Sequence, residues 1–114
     1  MTVTIYHNPH CSNSRKALDI IRSRGIEPEV VDYMKTPLTP GDLHHLIHEK
    51  LKLPVRDVMR TKEPVYAQLK LDGADDDTLL AAMALHPILL NRPIVVTGKG
   101  AKLCRPGEMV EGLL

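Results

Sequence analysis

Val3 and Ile5 alternate with Thr4 and Tyr6 at the start of the chain, a period-two pattern that predicts a short strand with one apolar face. The period then changes. Ala17, Leu18 and Ile21 recur at helical spacing against an exposed basic set, Arg15, Lys16, Arg22 and Arg24, which predicts an amphipathic helix ending at Gly25. Glu29 to Tyr33, around the pair Val30 and Val31, reads as a second strand, and the intervening helix makes it parallel to the first through a right-handed crossover. Thr39 and Pro40, with Asp42 in the first turn, mark a helix start, and Leu43, Leu46 and Ile47 line one face of that helix.

Residues 52 to 86 read as wholly helical. Val55, Val58, Met59, Tyr66, Leu69, Leu79, Leu80 and Met83 recur at helical spacing, punctuated by Pro54, Pro64 and Gly73. Asp75, Asp76 and Asp77 supply the cap and first-turn acids of the last of these helices, and His86-Pro87 stops it. Ile94 to Thr97, the turn Gly98-Lys99-Gly100, and Ala101 to Cys104 then predict an antiparallel hairpin, followed by a short terminal helix over Pro106 to Leu113. The expectation is a single α/β domain over 1–114, with a four-stranded mixed sheet in the order βαβ, helical insertion at about 40–86, ββα. That order resembles the thioredoxin arrangement, which also places a cis proline at the start of the third strand; Pro93 stands there.

Composition narrows the class. A 114-residue chain with 43% hydrophobic content can bury its own core without disulfides. Two cysteines are too few for a secreted disulfide scaffold, no signal peptide or membrane-length apolar run is visible, and the expected location is a reducing cytoplasm. The net charge of +1, with no Phe or Trp and three Tyr, argues against a nucleic-acid or anionic-membrane partner.

Within that frame Cys11 carries the chemistry. It follows the break at Asn8-Pro9 and immediately precedes the first helix, where unpaired backbone N–H groups and the positive end of the helix dipole favour a thiolate and attract anions. Position 14 is Ser, so Cys11 has no C-x-x-C partner and an external thiol must resolve any intermediate. Arg15 comes too soon after Cys11, and position 17 is Ala, for the C-x5-R loop of phosphatase-like enzymes. Cys104 is a candidate resolving thiol, but at the end of a strand beside Arg105 it reads rather as a small buried cysteine.

Three separated motifs carry a more specific likeness. His7-Asn8-Pro9 before Cys11 with Ser14-Arg15 after it, the run His86 to Val96 containing Asn91-Arg92-Pro93, and Cys104-Arg105-Pro106 resemble the glutaredoxin-coupled arsenate reductases of the ArsC family. The resemblance spans nearly the whole chain. It implies reduction of arsenate to arsenite in the cytoplasm, with glutathione as thiol co-substrate, glutaredoxin as partner, and no tightly bound cofactor. It also implies Cys11 as the catalytic thiol and Arg60, Arg92 and Arg105 as the cations that hold the oxyanion, with Arg56 the competitor of Arg60. Pro93 belongs to the same site. Guanidinium groups suit this task because their forked donors stay charged and match oxyanion geometry, and they also depress the thiol pKa.

Other side chains have supporting or neutral expectations. His7 can act on the thiolate by charge or hydrogen bond, Asn8 can order the loop through backbone bonds, and Ser14 can donate to the sulfur or oxyanion, each against a plain turn or helix-start role. His10 either perturbs Cys11 or points to solvent. His44 and His48 share a helix face with His45 between them, but no third ligand or zincin glutamate accompanies them, so no metal site is expected. Some members of the family continue past the position of Leu114; if that tail covers the site, turnover here would be reduced. Two alternatives remain from the residues: a related thiol reductase for another substrate, and an Spx-like redox-sensitive transcriptional regulator, against which Ser14 counts.

Overall fold

The computed structural model describes residues 2–114. Those residues form two compact units, one built from the segments up to residue 36 and from 92 onward, the other from Pro37–Asn91.

The first unit holds the sheet. Strands β1 (Thr4–Tyr6), β2 (Glu29–Val31), β3 (Ile94–Thr97) and β4 (Gly100–Leu103) lie in the order β2-β1-β3-β4. β1 runs parallel to β2 and antiparallel to β3, and β3 and β4 make an antiparallel hairpin, so the sheet is mixed and four-stranded as expected. The second strand is shorter than its predicted Glu29 to Tyr33. It lies at the sheet edge and pairs with β1, which is itself three residues long, so the ladder covers Glu29–Val31.

Helix α1 (Ser12–Ser23) crosses between β1 and β2 and turns Ala17, Leu18 and Ile21 inward. These pack with Val3, Ile5, Val95, Cys104, Val110 and Leu113 into one buried cluster. α1 stops where its basic last turn meets Gly25. The Gly25 N–H donates to the Arg22 carbonyl and the Ile26 N–H to the Ile21 carbonyl, a Schellman closure that needs the left-handed φ of +76° at Gly25. The terminal segment Gly107–Leu113 is a 3-10 helix and packs against α1. The bonds Arg92–Pro93 and Arg105–Pro106 are cis.

The second unit is helical but more broken than a continuous reading of residues 52 to 86 suggests. Its elements are α2 (Pro40–His44), a π-helical continuation over His45–Leu51, a 3-10 turn at Val55–Val58, α3 (Pro64–Gln68), α4 (Asp76–Leu85) and a 3-10 turn at Pro87–Leu89. Pro54 and Pro64 cannot supply the N–H groups that a continuous helix would need, and each sits at the start of a new turn. α2 opens with a capping box, the Asp42 N–H donating to Thr39 Oγ1 at 3.0 Å and the Thr39 N–H to Asp42 Oδ2 at 3.2 Å. α4 opens on Asp75, whose carboxylate accepts the Thr78 N–H at 2.9 Å. Leu43, Leu46, Ile47, Leu79, Leu80 and Met83 are buried, and α2 packs on α4.

Ile5 is fully buried in the sheet cluster. Ile5→Ala is expected to destabilise the protein by about 2–5 kcal/mol, read as a lower urea midpoint with little change in slope.

Candidate functional site

Pairing register explains how distant residues reach Cys11. The β1–β3 ladder opposes Tyr6 to Ile94, so the loop leaving β1 and the residues entering β3 share one end of the sheet. The β3–β4 ladder opposes Ile94 to Leu103 and continues one step further, the Cys104 N–H donating to the Pro93 carbonyl at 2.8 Å. Arg105 therefore comes opposite Arg92, and one of its Nη1 hydrogen bonds goes to the Arg92 carbonyl at 2.8 Å. The same Nη1 donates to Cys11 Sγ at 3.6 Å.

The loop before α1 is tied down at several points. The Cys11 N–H donates to the Asn8 carbonyl and the Arg15 N–H to the Cys11 carbonyl, both at 3.0 Å. Asn8 Oδ1 accepts the His10 N–H at 2.9 Å, which makes the Asx-type turn expected of a loop-ordering asparagine. Ser14 is fully buried and its Oγ accepts the Asn8 N–H at 3.1 Å, so that hydroxyl oxygen braces the loop. His10 is exposed.

Cys11 occupies the cap position of α1 in extended conformation, and no side-chain cap closes the first turn. Sulfur replaces the usual capping oxygen, leaving the first-turn donors available to a negative charge. Partial burial pushes the Cys11 thiol up. The Ser14 N–H, the Arg105 guanidinium, the Asn13 N–H and the Arg92 guanidinium together outweigh this and hold it below the ordinary 9.0. Cys104 has the opposite fate. It is fully buried, burial raises it to about 11 against a small opposing effect of Lys102, and its Sγ lies 3.7 Å from the Lys102 carbonyl oxygen. The surroundings therefore shift the two cysteines in opposite directions, Cys11 toward easier loss of its proton and Cys104 toward keeping it.

His7 is 7% exposed, with its backbone N–H on the Val31 carbonyl and its Nδ1 buried without a hydrogen-bond partner. Burial lowers its pKa below 6.5; the Asp32 carboxylate opposes this, and Arg22 and Arg15 add to it. Burial thus disfavours the charged imidazole at His7.

The two candidates for the third arginine, both in the helical unit, are used differently. Arg56 is committed to structure: its Nη2 donates to the Leu71 and Ala74 carbonyls at 2.9 and 2.8 Å, and its Nε to the Tyr66 hydroxyl at 3.4 Å. Arg60 is half-buried, with Nε on Glu63 Oε1 at 3.0 Å and Nη1 on Asn91 Oδ1 at 3.4 Å. Glu63 and Asn91 were not legible as partners of Arg60, because nothing in their spacing from it signals a shared network. Asn13 was also missed; its Oδ1 accepts the Gly107 N–H at 3.3 Å.

The His44 and His48 rings lie tilted at 40° to each other with centroids 4.4 Å apart, and His48 Nε2 lies 3.9 Å from Asp76 Oδ2, all at the surface. Among the described residues no group of three or more His, Cys, Asp or Glu side chains could hold a metal ion.

A mixed four-stranded sheet with a cysteine at the start of its first helix, a cis proline before its third strand, and two guanidinium groups donating to the cysteine sulfur defines a thioredoxin-like domain. The ArsC family model matches residues 6–113, and this chain belongs to the ArsC family. It is 48% identical to an arsenate reductase of Escherichia coli, over 98% of this chain and 80% of that protein. It is 48% identical to an arsenate reductase of Rhizobium meliloti, over 100% of this chain and 82% of that one. Among solved structures, an arsenate reductase from Vibrio cholerae superposes with a TM-score of 0.94 at 44% identity, covering 100% of this chain and 98% of the other.

Two outcomes are expected from the thiols. Arg105→Gln raises the apparent pKa of Cys11, measured by thiolate absorbance or pH-dependent alkylation, because a donor to the charged form is lost. Cys104 holds its proton more tightly in the folded state than in the unfolded chain, so its contribution to stability is complete below pH 9 and lost as pH rises through about 11. Denaturant midpoints of Cys104→Val measured across that range should therefore fall less steeply with pH than those of the parent.

Proposed function

We propose that this protein is an arsenate reductase in which Cys11 is the nucleophile. The observation that carries the reading is the Cys11 sulfur held on the Arg105 guanidinium at 3.6 Å, at the start of α1, with the other cysteine buried. Relatives at 48% identity over 98% or more of this chain bear the same name, which favours this reading over an Spx-like regulator or a reductase for another substrate.

Arsenate near neutral pH is an anion, so an attacking thiolate meets repulsion unless the oxygens are screened. Arg92 and Arg105 supply that screening at the sulfur, and Arg60 is the proposed third oxyanion ligand, since Arg56 is bound to backbone carbonyls. Attack by Cys11 forms a sulfur–arsenic bond as an arsenate oxygen leaves as hydroxide or water. Cys104 is buried and holds its proton, so a thiol from outside must complete the reaction.

Glutathione fills that role in the proposed cycle by bonding to arsenic in place of a second oxygen. A glutaredoxin thiolate then attacks the glutathione sulfur, the arsenic–sulfur electron pair stays on arsenic, and arsenite remains on Cys11 until water releases it. The electrons come from the two thiols, which end as a mixed disulfide on glutaredoxin. No tightly bound cofactor is needed. A thiol enzyme regenerated in this way belongs in a reducing compartment, in keeping with a cytoplasmic location. No helix among the described residues is long and apolar enough to cross a membrane.

Arsenate-dependent NADPH oxidation coupled through glutathione, glutaredoxin and glutathione reductase tests the proposal. Cys11→Ser is expected to abolish the arsenate-dependent rate, and Arg92→Ala to lower kcat/KM by on the order of 10²-fold, as for loss of one donor to a developing anion. Equal rates in parent and Cys11→Ser, or oxidation indifferent to arsenate, would overturn it.

A further inference from the structure

The segment that delivers Arg105 is seated on α1 at a place where a glycine and an asparagine meet. The 3-10 helix Gly107–Leu113 begins directly over the first turns of α1. At its first residue the Gly107 N–H, a helix-start donor with no partner inside its own helix, is taken by Asn13 Oδ1 at 3.3 Å. The approach is close enough to exclude a side chain. A Cβ on Gly107 would stand 2.7 Å from the Asn13 carbonyl oxygen, 2.9 Å from Lys16 Cβ and 3.0 Å from the Ala17 nitrogen. Gly107 has an ordinary negative φ, so contact and not backbone conformation requires glycine here.

Arg105 lies two residues before this seat. On its other side it is anchored by the Cys104 N–H on the Pro93 carbonyl and by its own Nη1 on the Arg92 carbonyl. β4 thus fixes the segment from one direction and the seat on α1 fixes it from the other, with the Cys11 contact between them. A sulfur contact at 3.6 Å is sensitive to small displacements of the guanidinium, because a charge-assisted hydrogen bond weakens steeply with distance and angle.

We propose that Asn13 and Gly107 form a latch that positions Arg105 on the Cys11 sulfur, and that Asn13 is a positioning residue acting through Arg105. Its side chain acts on the segment that carries Arg105, while its backbone N–H acts on the sulfur directly. Substitution by alanine separates the two, since it removes the Oδ1 acceptor and keeps the N–H. The inference rests on Cys11 as the reactive thiol but not on arsenate as the substrate, so it stands or falls apart from the turnover assay.

The experiment follows alkylation of Cys11 by iodoacetamide across its titration range, read at the Cys11 peptide by mass spectrometry, in the parent, Asn13→Ala, Gly107→Ala, Arg105→Gln and the double variant Asn13→Ala/Arg105→Gln. Thermal unfolding checks that each is folded. Asn13→Ala is expected to raise the apparent Cys11 pKa by about half a unit, an approximately threefold lower thiolate fraction at any pH well below that pKa, and Gly107→Ala by at least as much. In the Arg105→Gln background, Asn13→Ala is expected to add nothing, because the group it positions is gone. An equal shift in both backgrounds would show that Asn13 acts on the sulfur without Arg105, and an unchanged pKa in folded Asn13→Ala would remove the latch; either result overturns the proposal. If Gly107→Ala does not fold, Asn13→Ala decides the matter alone.

Discussion

A thiolate held partly out of water is unfavourable unless donors replace the lost solvent, and the sheet unit is arranged around meeting that requirement at Cys11. Burial alone pushes this thiol up, as it does at Cys104, where no guanidinium is in place and the proton stays on. The difference between the two cysteines is therefore one of available donors. Cys11 has the first-turn N–H groups of α1 and two arginines. The opening turn of α1 lacks a side-chain cap, and the loop before it is braced through Asn8 and buried Ser14, so the sulfur stands where those donors point.

Strand pairing does the long-range part of this work. Arg92 and Arg105 come together because the β3–β4 register continues past Leu103, and both reach the end of β1 because β1 and β3 are antiparallel. An arginine positioned by a ladder is cheaper to hold than one on a free loop, since its backbone entropy is already spent in forming the sheet. The apolar cluster of Val3, Ile5, Ala17, Ile21, Val95 and Cys104 holds α1 on the same sheet, so the stability of the fold and the geometry of the thiol depend on one set of contacts. Cys104 belongs to that cluster as packing, next in sequence to an arginine that touches the reactive thiol.

The helical unit uses two similar side chains for unlike ends. Arg56 closes a loop by donating to the Leu71 and Ala74 carbonyls, the first of which also accepts the Ala74 N–H, a structural use that ties its guanidinium to backbone. Arg60 is oriented by a carboxylate and an amide, Glu63 and Asn91, which fix a guanidinium without attaching it to backbone. A reading of the helix alone could not draw that distinction, because both arginines follow hydrophobic positions at similar spacing.

Local pattern by itself determined the strand and helix order, the stop at Gly25, the cap at Thr39, the hairpin after Pro93, and the placing of a cysteine at a helix start. These follow from alternation, helical period and the special backbone chemistry of Gly and Pro, all of which act over a few residues. Residues 52 to 86 broke into short turns because prolines remove N–H groups that periodicity does not count, and β2 proved shorter because its partner β1 spans three residues. Only the tertiary structure decided that His7 is buried, that Ser14 braces a loop with its oxygen, that Arg56 is structural, and that Asn13 meets Gly107. Each of these depends on which groups are brought out of water together, and that is set by the register of distant segments and not by spacing along the chain.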